Sequence, residues 1–342
     1  MKYAVGIAIA VCLLFSICQS SENEAHQVTK IIFDTDMGSD CDDVGALALL
    51  HHYANEGKVE LLGCIFSSGR VPYGAGVIDA INKYYDRRNI PVGACHQECI
   101  GDPKDKMLAE KLAKDTRLYG NKIIDNHDAA EQTRLNRKLL ISQADGSVTY
   151  LTVGHTQGLH ALLTSQSDDV SPLTGKELVE QKVKRWVALG ALDANNRESQ
   201  FRQDWNFYRN GTKPFTEYLV RNFPNDIYFI NAGAHVMTGA SLENEPKGTI
   251  VRDAYETWLW NTQQKKLFDQ RPSWDLATVY FAVEGLGDFL QMEESGWLEF
   301  DQKKGARWIK SEHPDHANHF YVNQKPEVDA VFGEYLNNRI IK

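Results

Sequence analysis

The sequence predicts an α/β fold with a mostly parallel central sheet flanked by helices. Three observations predict it. Short apolar runs of strand character alternate with longer helical patterns along the chain. No internal repeat and no Pro/Gly/Ser linker interrupts that alternation. The 342 residues are 42% hydrophobic, enough for a sizeable core. Strand–helix alternation implies parallel strands covered on both faces. Right-handed crossovers then gather the strands' carboxyl ends on one edge, where open α/β sheets bind ligands.

The elements follow in order. Lys30–Phe33 is a short apolar strand, and Asp43–Glu56 is helical, with Val44, Leu47, Leu49 and Leu50 on a broad apolar face. Val59–Phe66 reads as a second strand and Gly74–Tyr85 as a second helix. A strand over Val148–Val153 precedes a helix over Gln157–Ser165. Arg185–Leu189 is a strand centred on Trp186 and Val187, Phe215–Asn222 a helix, and Ile227–Ile230 a strand. Leu276–Val283 and Glu327–Asn338 read as helices.

The first twenty residues stand apart. Lys2 precedes an apolar run from Ala4 to Ile17, shorter than the roughly 20 apolar residues a bilayer span needs. Cys18 and Ser20 are small residues placed as a signal-peptidase site requires, and the polar Ser21-Glu22-Asn23-Glu24 follows. Residues 1–20 therefore read as a signal peptide and 21–342 as one domain, secreted or periplasmic and not membrane-bound after removal of the signal. The formal net charge of −9 repels phosphate backbones, which argues against nucleic acid as a partner. In an oxidising compartment Cys95 and Cys99, four apart, suit a small disulfide, while Cys41 and Cys64 suit buried thiols. Asn210-Gly211-Thr212 is a glycosylation sequon in a eukaryotic source.

The loop after the first strand carries the strongest chemical signal: Asp34-Thr35-Asp36-Met37-Gly38-Ser39-Asp40-Cys41-Asp42-Asp43. Carboxylates crowded at a strand end repel one another unless a hard cation joins them, and all-oxygen ligands favour Ca²⁺ or Mg²⁺ over zinc. The plainer reading is a solvated acidic turn, with Asp42 and Asp43 in the first turn of the next helix. An EF-hand does not fit, because Gly38 is at the fifth position and Gly45, not Glu, at the twelfth.

This motif resembles the aspartate motif that opens nucleoside hydrolases, in a longer variant with two extra residues before the final Asp pair. The resemblance implies the Rossmann-like fold of that family and calcium-dependent hydrolysis of the N-glycosidic bond of ribonucleosides or a related N-ribosyl compound. Asp36 and Asp43 would ligate Ca²⁺, Asp36 would also take the proton of the attacking water, and Asp42 would hold a ribose hydroxyl. Asp34 would support the others, and Asp40 has no clear counterpart. Leu151-Thr152-Val153-Gly154 resembles the segment whose backbone carbonyl is a calcium ligand, here that of Val153. Asp204-Trp205-Asn206 resembles the acid-x-Asn element that holds the sugar, and Asn195 would face the 5′-hydroxyl. Arg271-Pro272-Ser273-Trp274-Asp275-Leu276-Ala277 resembles the segment that delivers the last calcium carboxylate, Asp275, which also suits a helix N-cap. The family's oligomers imply a homo-oligomer.

Two departures leave the substrate open. Many family members carry a His just before the last calcium Asp to protonate the leaving base. Here Trp274 stands there, able to stack on a base but not to act as an acid. His155 is a candidate donor or a packing residue. The second-strand loop Ser67-Ser68-Gly69-Arg70 has no Asn, and Arg70 is either a pocket or a surface residue. His313, His316 and His319 read as a polar surface loop; Tyr208, Trp258 and Trp260 as pocket or core aromatics. Two rivals remain: a calcium-dependent ribose or nucleoside binder without turnover, and a haloacid-dehalogenase-like phosphatase, which also begins with strand–Asp-x-Asp.

Overall fold

The computed structural model describes residues 28–342 other than 98, 99, 103, 191–199, 294 and 312–317. The expected signal peptide, Asn195, Cys99, His313 and His316 lie outside the described residues.

Thirteen strands are described. They are β1 (Thr29–Thr35), β2 (Val59–Phe66), β3 (Val92–Ala94), β4 (Ala130–Glu131), β5 (Val148–Thr152), β6 (Val183–Leu189), β7 (Asp226–Asn231), β8 (Met237–Thr238), β9 (Arg271–Pro272), β10 (Leu290–Met292), β11 (Trp297–Asp301), β12 (Gly305–Ile309) and β13 (His319–Gln324). Nine form one sheet in the order β10-β13-β7-β6-β5-β1-β2-β3-β4. Every neighbouring pair is parallel except β10 with β13 at one edge. Two-stranded ribbons β11–β12 and β8–β9 lie outside it.

The central strands are buried on both faces, as covered parallel strands must be. In β1, Ile31 and Phe33 pack into one core and Ile32 into the other, so successive side chains feed opposite layers. Helices Asp42–Asn55, Gly74–Tyr84, Ile250–Gln263 and Trp274–Glu284 close the first layer. Helices Gln132–Ile141, Gln157–Thr164, Gly175–Lys182 and Lys213–Asn222 line the second. No described helix is long and apolar enough to cross a membrane.

The strands and helices expected from sequence are present, with ends shifted by at most two residues. The sequence reading assigned nothing to β8–β13, and one expectation there is overturned. His319 is a buried residue of β13: its Nδ1 accepts a hydrogen bond from the Leu298 amide at 3.2 Å, and its ring meets Phe229 edge-on. Cys41 and Cys64 are buried free thiols as expected, and Cys95 is disulfide-bonded.

The fold brings two strand ends together to form the floor of the site. The β1–β5 register runs to Asp34 and Thr152, and the Val153 amide then donates to the Asp34 carbonyl at 2.9 Å. The next residue must be Gly154, because a Cβ there would sit 2.4 Å from the Asp36 amide nitrogen. The acidic loop thus crosses directly over the end of β5.

Candidate metal and active site

Asp42 and Asp43 open the helix Asp42–Asn55, and Asp275 lies in the first turn of Trp274–Glu284. The two helices therefore aim their amino ends at one point, where the partial positive charge of the peptide dipoles favours acids. Ligand atoms of Asp42, Asp43 and Asp275 lie within 4.8 Å of one another, all buried. Asp275 is not the N-cap, which is Ser273; the Asp275 amide instead donates to Asp42 Oδ2 at 3.4 Å. Thr35 Oγ1 donates to Asp43.

Burial drives all three carboxyl groups well above the usual carboxylate range, and neighbouring carboxylates add to it, Asp40 first for Asp42, Asp36 first for Asp43 and Asp42 first for Asp275. Asp36, 5% exposed, adds its charge to each and leaves Oδ2 without a hydrogen bond. Four buried acids facing one space fit a hard cation with oxygen ligands. Behind them, Asp34 is fully buried, accepts from Ser67 Oγ at 2.5 Å and Tyr150 OH at 3.2 Å, and is pushed up to about 8 by burial. Asp34 does not line the cavity itself.

The acids line one wall of a cavity of about 410 Å³. On a second wall stand Val153, Asp204 and Asn206. Asp204 Oδ1 accepts from the amides of Asn206 and Phe207, both at 2.8 Å, which fixes the turn. Asn206 Nδ2 donates to the Val153 carbonyl at 2.6 Å, so the oxygen expected to face a cation also anchors the sugar-type Asn.

Trp274 lines the cavity with Trp258, Arg271 and Asp40. Arg271 Nε donates to Asp40 Oδ1 at 3.0 Å, and Nη2 donates to Oδ2. Its guanidinium carbon lies 4.4 Å from the Trp258 ring centre and 4.8 Å from that of Trp274. The inserted Asp40 thus has a role the sequence did not reveal, and Arg271 was missed altogether. The signal for it was a cation four residues before Asp275.

The other candidates resolve individually. His155 is fully buried, does not line the cavity, and sits behind Asp36, Nδ1 to Oδ2 2.7 Å. That contact is close, but its angles leave both atoms outside hydrogen-bond geometry. Arg70 is exposed, reaches the Gly101 carbonyl at 3.4 Å and does not line the cavity. Tyr208 is buried and Trp260 exposed, so of the three aromatics only Trp258 borders the cavity. Asn210 of the sequon lies with Nδ2 3.3 Å from His155 Nε2, which engages the atom a glycan would occupy.

No protein-family model and no curated protein matches the chain. Solved structures do. A plant nucleoside hydrolase superposes with a TM-score of 0.64 at 15% identity, covering 92% of this chain and 99% of that one. The inosine-uridine preferring nucleoside hydrolase from Bacillus anthracis gives 0.64 at 19%, with the same coverage. A type III effector protein complexed with adenosine diphosphate ribose gives 0.61 at 12%, covering 92% of each chain. At these identities the likeness establishes the fold: the chain has the architecture of nucleoside hydrolases over nearly its whole described length.

Proposed function

We propose that this chain is an exported, calcium-dependent hydrolase of the N-glycosidic bond of ribonucleosides or a related N-ribosyl compound, releasing ribose and free base. The observation that carries this reading is the convergence of Asp42, Asp43 and Asp275 beside Asp36. Residues more than two hundred positions apart form one buried acidic wall in a cavity also lined by the polar Asp204 and Asn206 and by the indoles of Trp205, Trp258 and Trp274. The fold shared with nucleoside hydrolases supports it.

Asp36, Asp43, Asp275 and the Val153 carbonyl would hold the cation. A bound hard dication acidifies water and fixes a sugar diol. The Asp36 carboxylate accepts the proton of the attacking water. Asp42 takes a ribose hydroxyl. Asn206, its amide nitrogen tied to Val153, presents Oδ1 to a second hydroxyl, and Asp204 holds that turn in place. The buried carboxylates stabilise positive charge developing on the sugar ring. Trp274 offers a flat face to the base.

A panel of ribonucleosides incubated with the protein, with and without EDTA, tests this. Base release that calcium restores and Asp36→Asn abolishes supports the hydrolase. A second reading, a ribose or nucleoside binder without turnover, is favoured by Trp274 standing where a His acid is wanted. Ligand binding in calcium with no release from any nucleoside would establish that reading instead.

A further inference from the structure

No imidazole lines the cavity among the described residues, and two of its carboxylates face cations: Asp102 pairs with Lys106, and Asp40, beside the indoles of Trp258 and Trp274, is committed to Arg271. What it does hold is a fixed cation. Two of the three guanidinium nitrogens of Arg271 are spent on Asp40, and Nη1 has no hydrogen bond among the described residues. The guanidinium is stacked against Trp258 and Trp274, and Trp258 is itself pinned by Nε1 donating to the Ser39 carbonyl at 2.8 Å. The Asp40 carboxylate keeps Arg271 charged. Burial, stacking and a two-point ion pair leave the group one orientation and one unsatisfied edge.

Building on the hydrolase reading, we propose that Arg271 is a catalytic residue for departure of the base. Its Nη1 edge donates a hydrogen bond to a nitrogen or carbonyl oxygen of the leaving heterocycle and stabilises that group as an anion. In the step, the C1′–N bond breaks and its electron pair stays on the heterocycle. The water oxygen bonds to C1′, and Asp36 takes the water's proton. The heterocyclic anion then takes a proton from solvent, and Asp36 returns its proton to solvent. The sum is nucleoside plus water giving ribose plus free base. The inserted Asp40 is a positioning residue for Arg271. The leaving groups favoured are flat heterocycles with an acceptor at the ring edge whose anions are tolerably stable, purines among them. A fixed donor aimed at developing charge in a water-poor site accelerates by about 100–1000-fold.

The test compares two leaving groups in the calcium-loaded protein: a purine ribonucleoside and p-nitrophenyl β-ribofuranoside, whose phenolate departs without help. Arg271→Gln lowers kcat for the nucleoside by about 100–1000-fold, moves KM far less, and lowers kcat for the nitrophenyl riboside at least tenfold less. Arg271→Lys, which keeps charge without the planar fork, recovers part of the loss. Free purine, read by quenching of tryptophan fluorescence, binds more weakly to Arg271→Gln. Wild-type kcat on the nucleoside shows no fall between about pH 8 and 10, because a guanidinium does not titrate there. Equal losses on both substrates, or no loss on either, overturn the role of Arg271. So does a wild-type protein that cleaves the nitrophenyl riboside but no nucleoside, and in that case the hydrolase reading survives. Turnover of neither substrate removes both.

Discussion

The side-chain amide of Asn206 and the backbone carbonyl of Val153 are joined at 2.6 Å. This bond ties the Asp204–Asn206 turn to the end of β5, so the sugar-side wall and the cation-side wall are set by one contact. Replacing Asn206 with Asp turns a donor facing a carbonyl into an acceptor, and two acceptors at that distance repel. Asn206→Asp should therefore lower kcat/KM for a nucleoside by about 100-fold or more, the scale of an unmade buried polar contact plus a lost hydroxyl ligand. Isothermal titration with calcium is the companion measurement. A drop in turnover without any change in calcium affinity would mean that the Val153 carbonyl does not serve the cation.

Titration of the acidic wall has a definite sign. Asp42, Asp43 and Asp275 are pushed well above the usual carboxylate range by burial first and by a neighbouring carboxylate second (Asp40 for Asp42, Asp36 for Asp43, Asp42 for Asp275), and Asp34 is pushed up to about 8 by burial. In the unfolded chain all four ionise near 4. Without a cation, these four groups bind more protons in the folded state than in the unfolded, so the stability they contribute is fullest below about pH 4 and is lost as pH rises through the folded values. Buried His51 opposes this mainly in acid: its pKa is lowered to about 3 by burial, so its effect builds between there and the ordinary imidazole value and adds little above it. Between about pH 6.5 and 8.5, each retained proton weakens folding by a factor of about ten per pH unit. Calcium needs the ionised acids, so its binding releases protons and tightens over the same window. Thermal unfolding in EDTA should show a lower Tm at pH 8.5 than at 6.5, and calcium should raise Tm more at 8.5. A calcium-induced rise that shrinks with pH would remove the acidic wall as the cation site.

How legible this was depended on distance along the chain. The Asp34–Asp43 loop announced itself because its five acids crowd into ten residues and follow an apolar strand, and β2 was read to the residue because Val59–Phe66 is bounded by Gly57-Lys58 and Ser67. Asp275 could be placed because a Pro-containing loop and an apolar helix frame it. The Asp40–Arg271 pair spans 231 positions and leaves no local pattern. Arg271 next to Pro272 reads as any loop cation until the tertiary fold stacks it on Trp258. The Val153–Asn206 bond uses a backbone carbonyl, which every residue has. The β11–β12 hairpin escaped because strand–helix alternation was the pattern sought. Its Trp297–Asp301 stretch does alternate in burial, and Gly305 follows at the turn. His319 looked solvent-exposed because its neighbours in sequence are polar, while its neighbours in space are Phe229 and Leu298.

Gly154 gives a test of whether the strand crossing itself sets the cation site. The missing Cβ is the only reason the acidic loop can lie on β5: a methyl would meet the Asp36 amide nitrogen at 2.4 Å and the Thr35 carbonyl carbon at 2.7 Å, both backbone atoms that no rotamer change can move. Gly154→Ala must therefore push apart the ends of β1 and β5, at a cost of about 1–3 kcal/mol for an overpacked contact. The displaced segment carries Asp36, while Asp42, Asp43 and Asp275 stand on helices outside the clash. Calcium affinity should then fall by at least about tenfold, and nucleoside turnover further still, because Asp36 both ligates and takes the proton. Circular dichroism melts and calcium titration of this variant check both parts. Lost stability with unaltered calcium affinity would show that Asp36 is not among the ligands, leaving the three helix-borne acids to hold the cation alone.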